Sequence, residues 1–163
     1  MIRVGFGYDV HRLVPDRPLI LGGVAIPYHE GLFGHSDADV LAHSVMDALL
    51  GALALGDIGM HFPDTDPAYE RCDSVALLKK VAGIIRSLGW RVNNLDVTVC
   101  AQAPRLAPHI DQMRRNIAGA VGSAPGLISV KATTTEGLGF TGRSEGISSY
   151  AVVSLVKLSS DDA

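Results

Sequence analysis

Asp9, His11 and His43 are the residues whose types and spacing best fit a metal site. Asp9 and His11 stand two apart in residues 2–11, where β-branched and aromatic residues predict a first strand, and residues i and i+2 of a strand share a face. Two imidazoles and one carboxylate are a common ligand set of a catalytic zinc ion (Zn²⁺), with the fourth position left open. No local motif joins the three, so the alternative is that both histidines are ordinary polar residues.

The segment around His43 has helical spacing. It predicts a helix over residues 36–55, capped by Ser36, from apolar residues at three- and four-residue intervals. Asp39 and Asp47 stand one turn before and after His43. A ligating histidine commonly donates its second ring N–H to an acceptor outside the ligand set, so we expect one of these carboxylates in that position. The apolar end of the helix either faces another subunit or belongs to a buried central helix.

A run of threonines near the C-terminus is a second candidate site. Thr133, Thr134 and Thr135 follow a predicted strand, and hydroxyl and backbone N–H groups at a strand end can bind phosphate oxygens. Glu136 could hold a magnesium or manganese ion (Mg²⁺ or Mn²⁺) against those oxygens. The next glycines match G-x-G-x-x-G by letter, but a strand is predicted after them, which excludes a dinucleotide site. The alternative is a strand with ordinary β-propensity and turn glycines.

Length and composition limit the class of protein. The chain has 163 residues, 47% of them hydrophobic, which predicts one catalytic domain over residues 1–158 and a flexible tail over 159–163. The net charge is −3 and no basic stripe is present, so we expect no nucleic-acid partner. No segment is apolar enough for a signal peptide or a membrane span, so we expect no membrane association. The two cysteines are far apart and fit a reducing cytosol.

The remaining pattern predicts an α+β fold. Strands are expected in the segments 19–27, 95–100, 128–132 and 147–158, the first as two short strands around Gly22 and Gly23. Helices are expected from a cap at Asp73 or Ser74 to residue 88, and over 110–121. Because strands and helices do not alternate strictly, we expect a mixed β-sheet with helices packed on one face.

Five separated motifs, in this order, resemble the 2-C-methyl-D-erythritol 2,4-cyclodiphosphate synthase family over nearly the whole chain. The motifs are Asp9-Val10-His11; His35-Ser36-Asp37 with His43; Gly56-Asp57-Ile58-Gly59 with Phe62-Pro63-Asp64-Thr65-Asp66; Ala101-Gln102-Ala103-Pro104; and Lys131-Ala132-Thr133-Thr134-Thr135-Glu136 with Gly139-Phe140-Thr141-Gly142-Arg143.

The resemblance implies a homotrimer with three active sites at the subunit interfaces. It implies a phosphorus-oxygen lyase of the non-mevalonate isoprenoid pathway, which converts the nucleotide-linked substrate 4-diphosphocytidyl-2-C-methyl-D-erythritol 2-phosphate into the cyclic 2,4-diphosphate and releases CMP. Zinc would be bound by Asp9, His11 and His43, and magnesium or manganese by Glu136. His35 and Thr134 would stabilise the transition state.

The resemblance also implies the substrate contacts. The erythritol pocket would be lined by Ser36, Asp57, Ile58, Gly59, Phe62, Pro63, Asp64, Thr65 and Asp66. The cytidine diphosphate end would lie on Ala101, Gln102, Ala103, Pro104, Arg105, Leu106 and Ala107, and on Thr133, Thr134 and Thr135 of a neighbouring subunit. Phe140 and Arg143 would complete the site or a central cavity that could hold an isoprenoid diphosphate.

Two residues depart from the family pattern, and two other functions stay open. Arg105 stands where lysine is common in the family, and Ser144 where glycine is frequent. Arg143 and Glu145 could be a surface ion pair or part of a polar ring at a symmetry axis. The competing functions are a zinc-dependent phosphohydrolase and a non-catalytic carrier of isoprenoid diphosphates. We expect a bacterial-type cytoplasmic protein.

Overall fold

The sheet and helices of the computed structural model, which describes residues 1–158, agree with the predicted α+β class; the predicted tail, 159–163, lies outside the described residues. The strands are β1 Ile2–Pro15, β2 Leu19–Leu21, β3 Val24–Ile26, β4 Glu30–Leu32, β5 Trp90–Cys100, β6 Ile128–Thr133 and β7 Gly146–Lys157. The helices are α1 Val40–Ala52, α2 Ile58–His61, α3 Ser74–Ser87, α4 Ile110–Val121 and α5 Gly139–Gly142, with 3-10 turns at Pro67–Tyr69, Ala107–His109 and Pro125–Leu127.

Five strands form one mixed sheet in the order β4-β1-β7-β5-β6. Only the β5–β6 pair is parallel among the described strands, whereas β1 pairs antiparallel with both β4 and β7. β2 and β3 form a separate hairpin around Gly22 and Gly23, as predicted. The first strand runs to Pro15, beyond the predicted end at His11, because its last residues pair with β4.

The cap of α1 differs from the prediction. The helix begins at Val40, and its cap is Asp39, whose carboxylate accepts the backbone N–H groups of Leu41 and Ala42 at 3.1 Å each. Ser36 instead accepts the N–H of Ala38 in the preceding turn. A carboxylate and a hydroxyl are both good caps, so the local pattern could not separate these two positions.

One face of the sheet is covered and the other is open. Helices α1, α3 and α4 pack on one face, and α1 is buried along most of its length. Its apolar end is less buried, since Leu53 and Leu55 are half-buried and Ala54 is exposed, so a contact of this end with another subunit stays a prediction. On the opposite face, the side chains that alternate outward along β1 and β7 are apolar and 40–65% exposed: Ile2, Val4, Phe6, Tyr8, Val10, Tyr150 and Val152. A row of exposed apolar side chains on one sheet face is typical of a surface that another protein surface covers.

The loops contain two single-turn helices that the sequence did not predict. α2 follows Asp57, which accepts the N–H of Met60, and α5 lies in the glycine-rich segment before β7. Ser144, next to α5, has a φ of 56°, a left-handed conformation that favours glycine. Within residues 1–158, no helix has both the length and the apolar character needed to span a bilayer.

Candidate metal centre and active site

Two glycines of β1 bring the candidate metal ligands together. Gly5 and Gly7 face α1, and a Cβ atom at Gly7 would lie 1.9 Å from the carbonyl oxygen of Ser44. The strand and the helix are therefore in backbone contact. Further along the same face of β1, Asp9 and His11 project beside the first turn of α1, which carries His43.

The three predicted ligands converge as the sequence indicated. His43 Nδ1 lies 3.0 Å from Asp9 Oδ2, His11 Nε2 lies 3.1 Å from the same oxygen, and the two nitrogens are 3.3 Å apart. A tetrahedral zinc ion with ligand bonds of about 2.0–2.1 Å holds its ligand atoms about 3.3 Å apart. The triad therefore has the donor set and the spacing that fit a divalent metal ion.

The charges of the triad are mutually supporting. Burial alone would raise the pKa of Asp9, but hydrogen bonds and charge from His11 and His43 outweigh burial and hold that pKa well below its ordinary value. Burial would lower the pKa of His11, but the hydrogen bond to Asp9 and its charge leave that pKa above its ordinary value. Asp9 is thus an anion at neutral pH, ready to bind a cation.

Both histidines have a second partner that orients the ring. The carbonyl oxygen of Phe33 lies 2.8 Å from His11 Nδ1, and Ser74 Oγ and Ser36 Oγ lie 2.9 and 3.1 Å from His43 Nε2. These contacts leave His11 Nε2 and His43 Nδ1 directed at Asp9. A carbonyl or hydroxyl in that position is usual for metal-binding histidines.

The predicted outer acceptors of His43, Asp39 and Asp47, are not its partners. Asp39 accepts the backbone N–H groups of Gly22 and Gly23 in addition to its two at the start of α1. Asp47 accepts the N–H of Ile58 at 2.9 Å. Both carboxylates satisfy backbone donors that only the tertiary fold brings to them, so the four-residue spacing was misleading.

A cavity of about 830 Å³ opens beside the triad. Its lining includes these residues that the resemblance implied: His35, Ser36, Ile58, Gly59, Phe62 and Asp64. His35 Nε2 lies 3.3 Å from the carbonyl oxygen of Asp66, which ties this histidine to the 62–66 loop. Asp57, Pro63, Thr65 and Asp66 are neighbours in the same segments.

Further residues that the sequence did not indicate also line the cavity, among them Arg17, Tyr69, Arg71 and Cys72. The guanidinium of Arg17 donates to the carbonyl oxygens of Gly34 and Ser36 at 3.1 Å each and so holds the segment that carries His35. Burial raises the pKa of the Cys72 thiol, with a contribution from the nearby charge of Asp37. Isolated residues in turns give no pattern from which this placement could have been found.

The predicted phosphate residues form a second cluster. The carboxyl ends of the parallel strands β5 and β6 meet, and the N–H of Ala101 donates to the carbonyl oxygen of Thr133 at 3.0 Å. Residues 101–107 and 133–136 therefore lie at one edge of the sheet. Glu136 has a φ of 53°, and its Oε1 accepts the hydroxyl of Thr134 at 3.3 Å.

The two clusters lie at the same end of the sheet on different strands. Val10, Ser148, Cys100 and Thr133 are paired in one row across β1, β7, β5 and β6. Neighbouring strands are about 4.8 Å apart, so Thr133 is roughly 14 Å from Val10. Among the residues described, the cavity lining contains neither the 101–107 segment nor the threonine run.

Some implied contacts are restricted by burial. The side chains of Ala101 and Leu106 belong to the core, so these residues offer a ligand only their backbone. Gln102, Arg105 and Ala107 are exposed, as is Phe140. Arg143 and Glu145 form an ion pair with a shortest distance of 2.7 Å, and both side chains are more than half exposed in the single chain.

Comparisons with known proteins give the family. The model of the YgbB family matches residues 2–156. The 2-C-methyl-D-erythritol 2,4-cyclodiphosphate synthases of Trichlorobacter lovleyi and Syntrophomonas wolfei are 63% and 64% identical to this chain. The first alignment covers 95% of this chain and 99% of the relative, and the second covers 93% and 97%.

Solved structures agree with this assignment. The IspF of Plasmodium falciparum, in a CDP complex, has a TM-score of 0.85 at 32% identity, with 97% of each chain covered. The bifunctional IspDF of Campylobacter jejuni has a TM-score of 0.93 at 46% identity; the match covers 97% of this chain and 43% of that longer one. The sequence resemblance is thereby confirmed, and this chain belongs to the YgbB family together with these 2-C-methyl-D-erythritol 2,4-cyclodiphosphate synthases.

Proposed function

We propose that this protein is a 2-C-methyl-D-erythritol 2,4-cyclodiphosphate synthase. The observation that carries the proposal is the convergence of Asp9, His11 and His43 beside a cavity of about 830 Å³, in a chain more than 60% identical to synthases of that name. The reaction joins the 2-phosphate oxygen of 4-diphosphocytidyl-2-C-methyl-D-erythritol 2-phosphate to its β-phosphorus. The bond from β-phosphorus to the bridging oxygen breaks, and CMP leaves with that electron pair.

We propose that zinc is the ion of the Asp9, His11 and His43 triad, and that Glu136 helps to hold magnesium or manganese. Bound there, these cations would draw off the charge that develops on the phosphate oxygens. The donor sets support this division: imidazole nitrogen suits zinc, whereas a lone carboxylate beside phosphate oxygens suits the harder ions. The open side of the triad faces the cavity, where the phosphate would lie.

The protein residues are proposed to position the substrate. The nucleophile is a phosphate oxygen that is already anionic at neutral pH, so the reaction requires no strong general base. Ser36, the 57–59 segment and the 62–66 loop would hold the erythritol part, and His35 and Thr134 would stabilise the transition state. Holding the two reacting groups in line would reduce the entropy cost of ring closure and would add to the charge stabilisation supplied by the metal ions.

We propose that a homotrimer completes each site. Two observations support this assembly: the open sheet face is apolar, and the cluster at residues 101–107 and 133–136 lies apart from the metal cavity of its own chain. A neighbouring subunit would bring its cluster to that cavity and bind the cytidine diphosphate end. Phe140 and Arg143 would then line a central cavity that could take an isoprenoid diphosphate. A cytoplasmic location is proposed with this metabolic role.

Mixed oligomers test whether the site is shared between subunits. The variants His43→Ala and Thr134→Ala are each expected to lose turnover while keeping the oligomer. Co-expressed with different tags and purified as mixed trimers, they should regain about one third of the parent activity, because one of the three sites in each mixed trimer would then hold both intact residues. Activity no higher than that of either variant alone would place both residues of a site in one chain.

Phosphorus NMR with chelation tests the reaction itself. The purified protein with magnesium and the cytidylyl substrate should yield the cyclic diphosphate and CMP, and a zinc chelator should abolish both. A linear phosphate product would identify the hydrolase, and a folded, zinc-loaded protein without turnover would favour the carrier. The relatives compared above carry the synthase name and give no support to either alternative.

A further inference from the structure

We propose that Ser74 and Asp37 are positioning residues that keep the ring proton of His43 on Nε2 and so leave Nδ1 free to bind the metal. The inference rests on the proposed zinc site and adds two residues, neither of which touches substrate or metal. Ser74 opens α3 and Asp37 precedes α1, so the contact joins the starts of two helices that pack together.

The orientation of the His43 ring determines which of its nitrogens must be free of a proton for metal binding. Its Nδ1 faces Asp9 Oδ2 at 3.0 Å, and its Nε2 faces Ser74 Oγ at 2.9 Å on the opposite edge of the ring. A neutral imidazole carries its proton on one nitrogen only, and the nitrogen that holds the proton cannot bind a metal. The protein must therefore favour a proton on Nε2.

Asp37 determines the direction of the Ser74 hydroxyl. Asp37 Oδ1 accepts the hydroxyl of Ser74 in a short contact, and Asp37 Oδ2 accepts the backbone N–H of Ser74 at 3.1 Å. An ionised carboxylate only accepts hydrogen bonds, and a serine hydroxyl has a single proton to donate. With that proton directed at Asp37, Ser74 Oγ presents a lone pair to His43 Nε2. Only an N–H at Nε2 can donate a hydrogen bond to this lone pair.

Ser36 is the competing partner of the same nitrogen. Its Oγ lies 3.1 Å from His43 Nε2 and accepts the N–H of Ala38 at 3.1 Å. A hydroxyl proton of Ser36 directed at Nε2 would favour the opposite tautomer. Ser74 prevails because it is closer and because hydrogen bonds to a charged acceptor are stronger than those between neutral groups. Ser74 is also fully buried, so water does not compete for its hydroxyl.

The test measures zinc affinity in the full chain by competition with a chromophoric chelator. Ser74→Ala should weaken zinc binding ten- to hundredfold, the usual effect of removing such an outer partner. The matched control is Ser44→Ala, because Ser44 is also fully buried and bonds Leu41 and Ser149. This control should lose stability with zinc affinity unchanged within twofold.

A second variant and a spectroscopic signal keep the test decisive if Ser74→Ala folds poorly. Asp37→Asn retains an oxygen acceptor and removes the charge, and should give a smaller loss of zinc affinity. Proton–nitrogen NMR of the zinc-loaded parent should show a slowly exchanging N–H at His43 Nε2, which exchanges rapidly in Ser74→Ala. A purely structural role for Ser74 would leave this signal unchanged.

Each outcome bears on the inference. Zinc affinity of Ser74→Ala within twofold of the parent, or an equal loss in Ser44→Ala, would overturn it. A proton found on Nδ1 in the zinc-loaded parent would overturn it as well. Failure of the parent itself to bind zinc would instead overturn the proposed metal centre, and the positioning role with it.

Discussion

The substitution Gly7→Ala should break the metal site from outside its ligand set. A Cβ atom at this position would lie 1.9 Å from the carbonyl oxygen of Ser44 and 2.7 Å from the backbone nitrogen of Ala48. Real Cβ atoms essentially never approach other heavy atoms within 3.0 Å. Because the obstructing atoms belong to the helix backbone, β1 and α1 must move apart by about 1 Å in an interior that is closely packed.

That displacement falls directly on the ligand triad. Gly7 stands two residues before Asp9 on β1, and Ser44 follows His43 on α1. Metal sites tolerate ligand displacements of about 0.2 Å, so a separation of about 1 Å should weaken zinc binding at least tenfold. Overpacking of the strand–helix contact should also lower the free energy of unfolding by about 1–3 kcal/mol.

Chelator competition and thermal unfolding measure the two effects separately. The matched control is Gly51→Ala in the same helix, where the nearest atom to a new Cβ would be the carbonyl oxygen of Phe6 at 3.8 Å. This control should bind zinc like the parent and unfold at the same or a higher temperature, because alanine favours a helix over glycine. Parent-like zinc affinity in Gly7→Ala would refute the argument that backbone contact sets the spacing of the ligands.

Two further predictions concern stability. Asp39→Ala should lower the free energy of unfolding by about 2–3 kcal/mol, measured by denaturant titration. The substitution removes the acceptor of four backbone N–H groups, at least two of them buried. Unfolding like that of the parent would show that water replaces the carboxylate. The metal-free protein should lose stability as pH rises past neutrality, because folding raises the pKa of His11. Protonated His11 therefore stabilises the folded state below the ordinary histidine pKa, and this stabilisation is lost as pH rises through the pKa of His11 in the folded state. Folding lowers the pKa of Asp9, so the stability that ionised Asp9 gives to the folded state is lost only in acid. The zinc-loaded protein should instead gain stability as pH rises through neutrality, because fewer protons compete with zinc for the ligand atoms at higher pH. Melting curves at several pH values test this difference. If the triad does not bind zinc, the protein with and without zinc should show the same dependence on pH.

The parts of the fold with a clear local pattern were predictable. The helix over residues 110–121 has the predicted bounds, and Asp73, one of the two residues predicted as a cap, caps α3. The metal ligands were predictable because two of them share a strand face and the third has helical spacing. Family resemblance was needed to choose between a metal site and ordinary polar histidines, since residue types at that spacing are compatible with both.

The cap of α1 and the partners of His43 could not be predicted from spacing. Ser36 and Asp39 are both acceptable caps, and the choice depends on the Gly22–Gly23 turn, whose N–H groups need the Asp39 carboxylate. Ser74 is separated from His43 by thirty-one positions and has a local explanation as the first residue of a helix. A residue with a sufficient local role gives no sign of a second, distant one.

The spacing and ring orientation of the metal site depend on contacts made by residues outside the ligand set. Gly7 sets how closely α1 approaches β1, and Phe33 and Ser74 set how the two imidazoles are turned. None of these three offers a side-chain ligand to the metal, yet a Cβ atom at Gly7, a shift of the Phe33 carbonyl or loss of the Ser74 hydroxyl would alter the distances within the triad or the ring nitrogen that is free. A chain can thus keep Asp9 and both histidines and still lose the metal site. Substitutions outside the ligand set should weaken metal binding in a protein that still folds.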